Sequence, residues 1–368
     1  MSVSRRRVAG LLCTLLLAPV LALPATAASA KVPCTEMDYG PALSAKPIVV
    51  CVGYEAGRPV IRTSTDRGRT WQVKTSTGTP EPVDYLLGVL VSPGYDTDHT
   101  IYLQYQTLGL FSSTDGGATF VVADPQASTQ ADQRVTAVDG FGPDVAGLTA
   151  ESAIAQPGAR AVLYRGSHVP VAGSGNRQEL RFVQLGHGDG SVVLNASHGP
   201  DATFAWPVRL SRCTAELACV TGQTLPNDIA LTELAVDPAK AARTAVGLFA
   251  TKASRPVLWA STDQGATFVR NTAFDSAVGT LMKPGETAPF TNAVTVLPGG
   301  KVWLVQFGSS RADYLLVTTD GGRTWTRRSR ASGGKRLVAT PDGRTFGSGW
   351  YFRCSVDQGR SWTDRCTR

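Results

Sequence analysis

Histidine, methionine and glutamate are scarce in this 368-residue chain, with four, three and eight copies respectively. The shortage bears on chemistry. No C-x-x-C pair or cluster of histidines accompanies the cysteines, so a zinc centre has no recognisable ligand set. There is no Gly-x-Ser-x-Gly elbow to present a nucleophilic serine. Gly173-Ser174-Gly175 lacks the Gly-Lys pair that a phosphate-cradling loop needs. Beyond residue 23 no run approaches the roughly 18 apolar residues of a membrane span. No stretch sustains a 3.6-residue apolar period either, and the best helical candidate is Pro238–Ala245, where the proline suits a first helical turn.

What the chain has in abundance is one phrase, repeated five times. The copies are Ser64-Thr65-Asp66-Arg67-Gly68-Arg69-Thr70-Trp71, Ser113-Thr114-Asp115-Gly116-Gly117-Ala118-Thr119-Phe120, Ser261-Thr262-Asp263-Gln264-Gly265-Ala266-Thr267-Phe268, Thr318-Thr319-Asp320-Gly321-Gly322-Arg323-Thr324-Trp325 and Ser355-Val356-Asp357-Gln358-Gly359-Arg360-Ser361-Trp362. Each follows a short β-branched or aromatic run and leads into another, which reads as strand, turn, strand. The aspartate is placed to accept hydrogen bonds from turn N–H groups, and the glycine to take a positive φ. The closing Trp or Phe is suited to packing between neighbouring sheets.

This octet resembles the Asp-box, or BNR repeat, of sialidases, sortilin-type receptors and photosystem II assembly factor-like propellers. The resemblance implies an all-β fold, a single β-propeller of four-stranded blades, with each box joining a third strand to a fourth and lying away from the ligand-binding face. In this reading Asp66, Asp115, Asp263, Asp320 and Asp357 are structural. Ser92-Pro93-Gly94-Tyr95-Asp96-Thr97-Asp98-His99-Thr100 likewise resembles the link between first and second strands of bacterial members. It reads as a turn and not as a calcium loop, since further oxygen ligands are missing.

The boxed aspartates are 49, 148, 57 and 37 residues apart. The second interval is about three times the first, so two units lack the phrase. Leu163-Tyr164-Arg165-Gly166-Ser167 and Val208–Cys213 stand where their remnants belong. Seven blades are expected, with six the alternative if the middle holds one enlarged blade. In the second unit the strands are expected at Leu86–Val91, Thr100–Tyr105, Gly109–Ser113 and Thr119–Ala123. In the sixth they are expected at Ala293–Leu297, Lys301–Phe307, Asp313–Thr318 and Thr324–Arg328. His187-Gly188-Asp189-Gly190 reads as a hairpin turn between two strands of another unit.

Residues 1–30 read as a secretory signal: Arg5-Arg6-Arg7, an apolar stretch from Val8 to Leu23, then small residues with cleavage near Ala28 or Ala30. Residues 31–368 are then the propeller, exported and without stable membrane insertion. Six cysteines remain there, and an even number in an exported chain favours disulfides. Six allow fifteen pairings, of which sequence proximity favours Cys34 with Cys51, Cys213 with Cys219 and Cys354 with Cys366. With the three signal arginines gone the net charge of +7 falls to +4, too little to argue for nucleic acid. One cluster, Arg323, Arg327, Arg328, Arg330, Lys335 and Arg336, reads as the solvated charge of an outer strand or as a site for an anionic partner.

Function follows less directly. Gly57-Arg58-Pro59-Val60-Ile61-Arg62-Thr63 precedes the first box without the Arg-Ile-Pro order of sialidases, so no catalytic residue of that family is carried over. A two-carboxylate glycosidase would draw on carboxylates outside the boxes: Glu36, Asp38, Glu55, Asp139, Asp144, Glu151, Asp189 and Glu233. The principal expectation is a secreted, monomeric, non-catalytic propeller that needs no cofactor or metal. It would bind a protein or glycan partner through loops at the channel mouth. An extracellular glycoside hydrolase of sialidase-like type is the alternative.

Overall fold

The computed structural model describes residues 31–39, 48–79 except 57, and 86–124 except 92–94 and 106–107. It also describes the strands between 133 and 224, and 225–366 except 227, 238–244, 252–254, 264–265, 289, 310, 329–335, 341 and 350. Among these residues the chain forms seven antiparallel sheets, each a meander in sequence order. The first holds β1 (Glu36–Tyr39), β2 (Val49–Glu55), β3 (Arg58–Ser64) and β4 (Gln72–Lys74). The second holds β5 (Leu86–Val91), β6 (Ile101–Tyr105), β7 (Gly109–Ser113) and β8 (Val121–Asp124), with the short α1 (Tyr95–Asp98) between its first two strands. The third holds β9 (Gln133–Phe141), β10 (Asp144–Glu151), β11 (Val162–Tyr164) and β12 (His168–Pro170). The fourth holds β13 (Glu179–Leu185), β14 (Val192–Ser197), β15 (Val208–Cys213) and β16 (Cys219–Thr224). The fifth holds β17 (Ile229–Val236), β18 (Ala245–Thr251), β19 (Pro256–Ser261) and β20 (Val269–Arg270), followed by α2 (Thr272–Leu281). The sixth holds β21 (Phe290–Val296), β22 (Trp303–Gly308), β23 (Asp313–Thr318) and β24 (Thr326–Arg328). The seventh has three strands, β25 (Arg336–Ala339), β26 (Thr345–Ser348) and β27 (Arg353–Ser355). Its fourth position is reduced to a single bridge between Cys354 and Thr363.

First strands touch first strands in turn: β1 lies against β5, β5 against β9, then β13, β17, β21 and β25, and β25 returns to β1. The apolar core is accordingly divided into layers between neighbouring sheets. One layer joins the first and second sheets through Val50, Ile61, Val89 and Leu103. Another joins the fifth and sixth through Leu248, Leu258, Val305 and Leu316. Because sheets cover both faces of the inner strands, β22 is buried at all six positions, whereas the outer strands β4 and β20 are largely exposed. That is why Trp303-Leu304-Val305 reads as an unbroken apolar run, with each such side chain worth about 1.5–3 kcal/mol on burial.

The N-terminal segment closes this arrangement. Phe352 N–H donates to Val32 O at 2.8 Å and Gly349 N–H to Cys34 O at 2.9 Å, so Val32–Cys34 runs along the seventh sheet before β1 enters the first. Gly53 allows the approach, since a Cβ there would stand 2.6 Å from Pro33 O. Two disulfides, Cys34–Cys51 and Cys354–Cys366, share the apolar layer at this junction with Met37, Phe346 and Phe352. Cys213 and Cys219 are backbone partners across β15 and β16, and their side chains lie outside the described residues.

The expected strands of the second and sixth units agree with the observed ones to within about three residues at either end. The two box-less remnants also fall on third strands, β11 and β15. Of the expected helix at Pro238–Ala245, Ala245 belongs to β18 and 238–244 lie outside the described residues. A helix that the sequence pattern did not announce is α2. Asn271 caps it, its side chain accepting from Phe274 N–H at 2.8 Å, and Phe274, Ala277, Val278 and Leu281 face the core. Those four are spaced i, i+3, i+4, i+7. Gly279 and the two threonines, Thr272 and Thr280, obscured the signal, being weak helix formers.

Candidate functional site

In an antiparallel meander the first-to-second and third-to-fourth turns share one end, and the second-to-third turns and inter-sheet links share the other. The repeated phrases occupy the first of these ends, after β3, β7, β19, β23 and β27. Their aspartates close the turns alike. Asp66 Oδ1 accepts from Arg69 N–H at 3.0 Å and Thr70 N–H at 2.8 Å, and Oδ2 accepts the Thr70 hydroxyl at 2.6 Å. Ser64 Oγ donates to Asp66 Oδ1 at 2.8 Å and accepts from Gly68 N–H at 2.7 Å. The first-position hydroxyl and the seventh-position N–H recur as donors to Asp115, Asp263, Asp320 and Asp357. The N–H after the glycine reaches the carboxylate again at Asp115 and Asp320, and the backbone carbonyl of the aspartate at Asp263 and Asp357.

These bonds lower the pKa of every one of the five carboxyl groups. At Asp115 the Ser113 hydroxyl, followed by the Thr119 N–H, brings the carboxyl down to about 2. The Thr324 hydroxyl and N–H, with the Thr318 hydroxyl, hold Asp320 well below the usual carboxylate range. At Asp66, Asp263 and Asp357 burial pulls upward, and the summed hydrogen bonds of the turn outweigh it.

Among the described residues, glycine and aromatic of the phrases face the preceding sheet. Gly68 has φ +82° and a Cβ there would stand 2.6 Å from Phe352, while Trp71 meets the Phe352 ring edge-on at 4.8 Å. Gly117 packs by Ile61 and Gly359 by Leu304 and Leu315. Phe120 joins the layer between the first two sheets, Trp325 packs on Phe274, and Trp362 on the layer between the sixth and seventh. Phe268 N–H donates to the Gln223 side chain of the fourth sheet at 2.6 Å; Gly265 lies outside the described residues. The box glycine carbonyls are tied back as well: Gly117 O accepts from Ser76 Oγ, Gly322 O from Asn271 Nδ2 and Gly68 O from Cys366 N–H. Each phrase is thus both a turn and a fastener to its neighbour.

The opposite end carries the candidate site. Glu36 and Arg336, the first residues of β1 and β25, form an ion pair at 3.1 Å, with the glutamate buried and the arginine partly exposed. Glu55, at the end of β2, pairs with the buried Arg62, and Tyr54 Oη accepts from Leu86 N–H at 3.2 Å. Across the fifth and sixth sheets Glu286 Oε2 accepts from Lys283 N–H at 2.9 Å and Oε1 accepts the Ser309 hydroxyl. The Ser309 hydroxyl, chiefly, holds the Glu286 carboxyl below its ordinary value. Arg58, Lys283 and Arg311 stand exposed in the turns and links of this end.

Of the eight carboxylates set apart in the sequence, Glu36 and Glu55 reach this end, each against an arginine. Asp38 accepts from Val91 N–H at 2.7 Å, a bond that ties β1 to β5. Asp139, Asp144, Glu151 and Glu233 lie on β9, β10 and β17 with their side chains outside the described residues, as is all of Asp189. Arg330 and Lys335 of the basic cluster are also outside them. Among the described residues no three His, Cys, Asp or Glu side chains come together as a metal site. No helix among them is long and apolar enough to cross a membrane. Sequence reasoning missed the Glu36–Arg336 pair and the Lys283–Ser309 link, since neither forms part of a repeated phrase.

No protein-family model matches the chain, and no curated protein matches it. Among solved structures it is similar to a puromycin hydrolase (an S511A mutant complexed with PGG), at 12% identity and a TM-score of 0.59, covering 92% of this chain and 54% of that one. Weaker likenesses, at TM-scores of 0.43 and 0.49, are to the GH74 enzyme of Niastella koreensis and the polysaccharide lyase Uly1, both 12% identical. They cover 86% and 88% of this chain, and 63% and 90% of those. The chain therefore spans under two thirds of the length of the GH74 enzyme and of the hydrolase. With the circle of first strands, the likeness to the hydrolase defines a β-propeller-like fold, and it speaks for the fold alone.

Proposed function

We propose that this is a secreted, seven-bladed Asp-box propeller that works as a binding module. It takes a protein or glycan partner on the loops at the end opposite the boxes. The observation that carries the reading is how charge is placed there. Glu36 and Glu55 are each matched to an arginine, and Glu286 is bonded by the Lys283 N–H and the Ser309 hydroxyl. The side chains of Arg58, Lys283 and Arg311, by contrast, stand exposed in the loops, the last two near enough to act on Glu286. A glycosidase needs a carboxyl group free to give a proton to the leaving group, and Glu36 and Glu55 are both engaged by guanidinium groups. Two disulfides among the described residues suit an oxidising compartment. In this reading Cys213 and Cys219 form a third disulfide across β15 and β16 and staple a blade that has no box.

The test has two arms. Micromolar protein is incubated with a glycan panel that includes sialosides, beside an Glu36→Ala/Glu55→Ala variant; no turnover is expected from either. Turnover by the native chain that the variant loses would overturn the reading and establish a glycoside hydrolase. In the second arm a glycan array and a pull-down are run with the native chain and with Arg58→Glu/Arg311→Glu. A ligand retained by the native chain and lost by the variant is the expected result, and equal retention would move the site away from these loops.

A further inference from the structure

The box position just after the glycine is not required by the turn to be any particular residue. It is Arg69, Ala118, Ala266, Arg323 and Arg360 in the five copies. Its contribution to the turn is the N–H alone: Arg69, Ala118 and Arg323 donate to their aspartates at 3.0, 2.9 and 2.9 Å. Alanine and arginine close the turn equally well, so the arginines need another explanation. They are also not scattered. Arg323, Arg360 and Arg69 belong to the sixth, seventh and first sheets, which are consecutive because β25 returns to β1.

All three are exposed, and none has an ion pair among the described residues. Lys301, whose carbonyl accepts from Gly321 N–H at 2.8 Å, and Arg365, next to the Cys366 that reaches Gly68 O, add exposed positive charge at the same end. By contrast Arg67 is spent on Asp342 at 3.2 Å, which Arg344 also contacts. The box carboxylates of these sheets have their oxygens occupied by N–H and O–H donors within the turn. The second and fifth sheets carry alanine at the equivalent place and have no such arc.

We propose that the box-bearing end of the sixth, seventh and first sheets is a second binding surface, for an extended anionic polysaccharide. Guanidinium groups pair with carboxylate and sulfate through a planar fork, at equivalent positions of successive sheets. A repeating linear polyanion meets such an array group by group, where a single small anion would meet one arginine. The surface lies at the other end from the loops assigned above, so either assignment stands or falls without the other.

The experiment measures binding of the full chain to polygalacturonate, dextran sulfate, neutral dextran and a 30-nucleotide single-stranded DNA over a range of salt. Arg69→Ala/Arg323→Ala/Arg360→Ala restores the residue of the sister turns, and an unchanged melting temperature verifies its fold. A second triple, Arg58→Ala/Lys283→Ala/Arg311→Ala, removes the same charge from the opposite end. The expected result is salt-dependent binding to both charged polysaccharides and none to dextran. The box triple should weaken it at least tenfold and flatten its salt dependence, and the other triple by less than twofold. No binding by the native chain, equal losses in the two triples, or tighter binding to the DNA than to either polysaccharide would each overturn the proposal.

Discussion

Replacing Gly322 by alanine separates the two demands that a box glycine meets. Gly321 and Gly322 both have positive φ, +74° and +89°, so an alanine at either bears a left-handed backbone that costs about 1–2 kcal/mol. A Cβ on Gly321 meets nothing within 4 Å, whereas one on Gly322 would stand 2.2 Å from Asn271 Nδ2 and 2.5 Å from the Trp303 ring. Relieving that overlap costs about 1–3 kcal/mol. It displaces Asn271, which donates to Gly322 O at 3.0 Å and caps α2, for about 1 kcal/mol more. The expected losses are about 1–2 kcal/mol for Gly321→Ala and about 3–6 kcal/mol for Gly322→Ala. An unfolding entropy near 2.1 cal/mol/K per residue over about 338 residues turns these into melting shifts of roughly 1.5–3 °C and 4–8 °C. Calorimetry reads both, and the fluorescence of Trp303 and Trp325 locates the damage between the fifth and sixth sheets. Equal shifts in the two variants would refute the packing role of the glycine.

Asp115 titrates at about 2 when folded, below the unfolded value near 3.9, so its contribution to stability is present above about pH 4 and is lost as pH falls toward 2. Asp115→Asn should therefore lower the melting temperature at pH 6 and flatten its fall between pH 5 and 2; an acid limb identical to that of the native chain would contradict this. Gln358 holds φ 61° where two sister turns have glycine, so Gln358→Gly relieves about 1–2 kcal/mol of strain against about 0.4–1 kcal/mol of added unfolded-state entropy. A small gain in urea midpoint is expected, and a loss would show that the side chain does more than tolerate the turn. Cys354→Ser/Cys366→Ser frees a crosslink spanning 12 residues, worth about 3 kcal/mol, and with it the tie from Cys366 N–H to Gly68 O. Limited proteolysis should then cut first near the C-terminus, and cutting elsewhere first would place the weak point away from that junction.

The strand positions of the second and sixth sheets were legible because their turns are local devices. A hydroxyl, an aspartate and a glycine within a few residues satisfy one another's hydrogen bonds, so the spacing alone encodes the turn. The same locality explains where reading failed. In α2 the two largest buried side chains, Phe274 and Val278, act against Trp325 and Phe307 from another sheet, and propensity within the segment is poor. Tertiary contacts decide that helix. The fourth strand of the seventh sheet shrinks to the Cys354–Thr363 bridge because the Cys354–Cys366 disulfide turns the chain back toward Gly68.

The candidate site was opaque for a different reason. Glu36 and Arg336 are 300 residues apart and meet only because the circle of sheets closes, so no spacing in the sequence announces them. Turn geometry leaves two kinds of place open in such a fold: the loops between repeats, and the box position after the glycine, which supplies only an N–H. The first kind is invisible to pattern reading, since it follows no pattern. The second is visible once the hydrogen bonds are known, because every departure there from the smallest adequate residue is unexplained by the fold. Arginine at three consecutive turns and alanine at two others is such a departure, and it is the variation inside the repeat, more than the repeat itself, on which the proposed second surface rests.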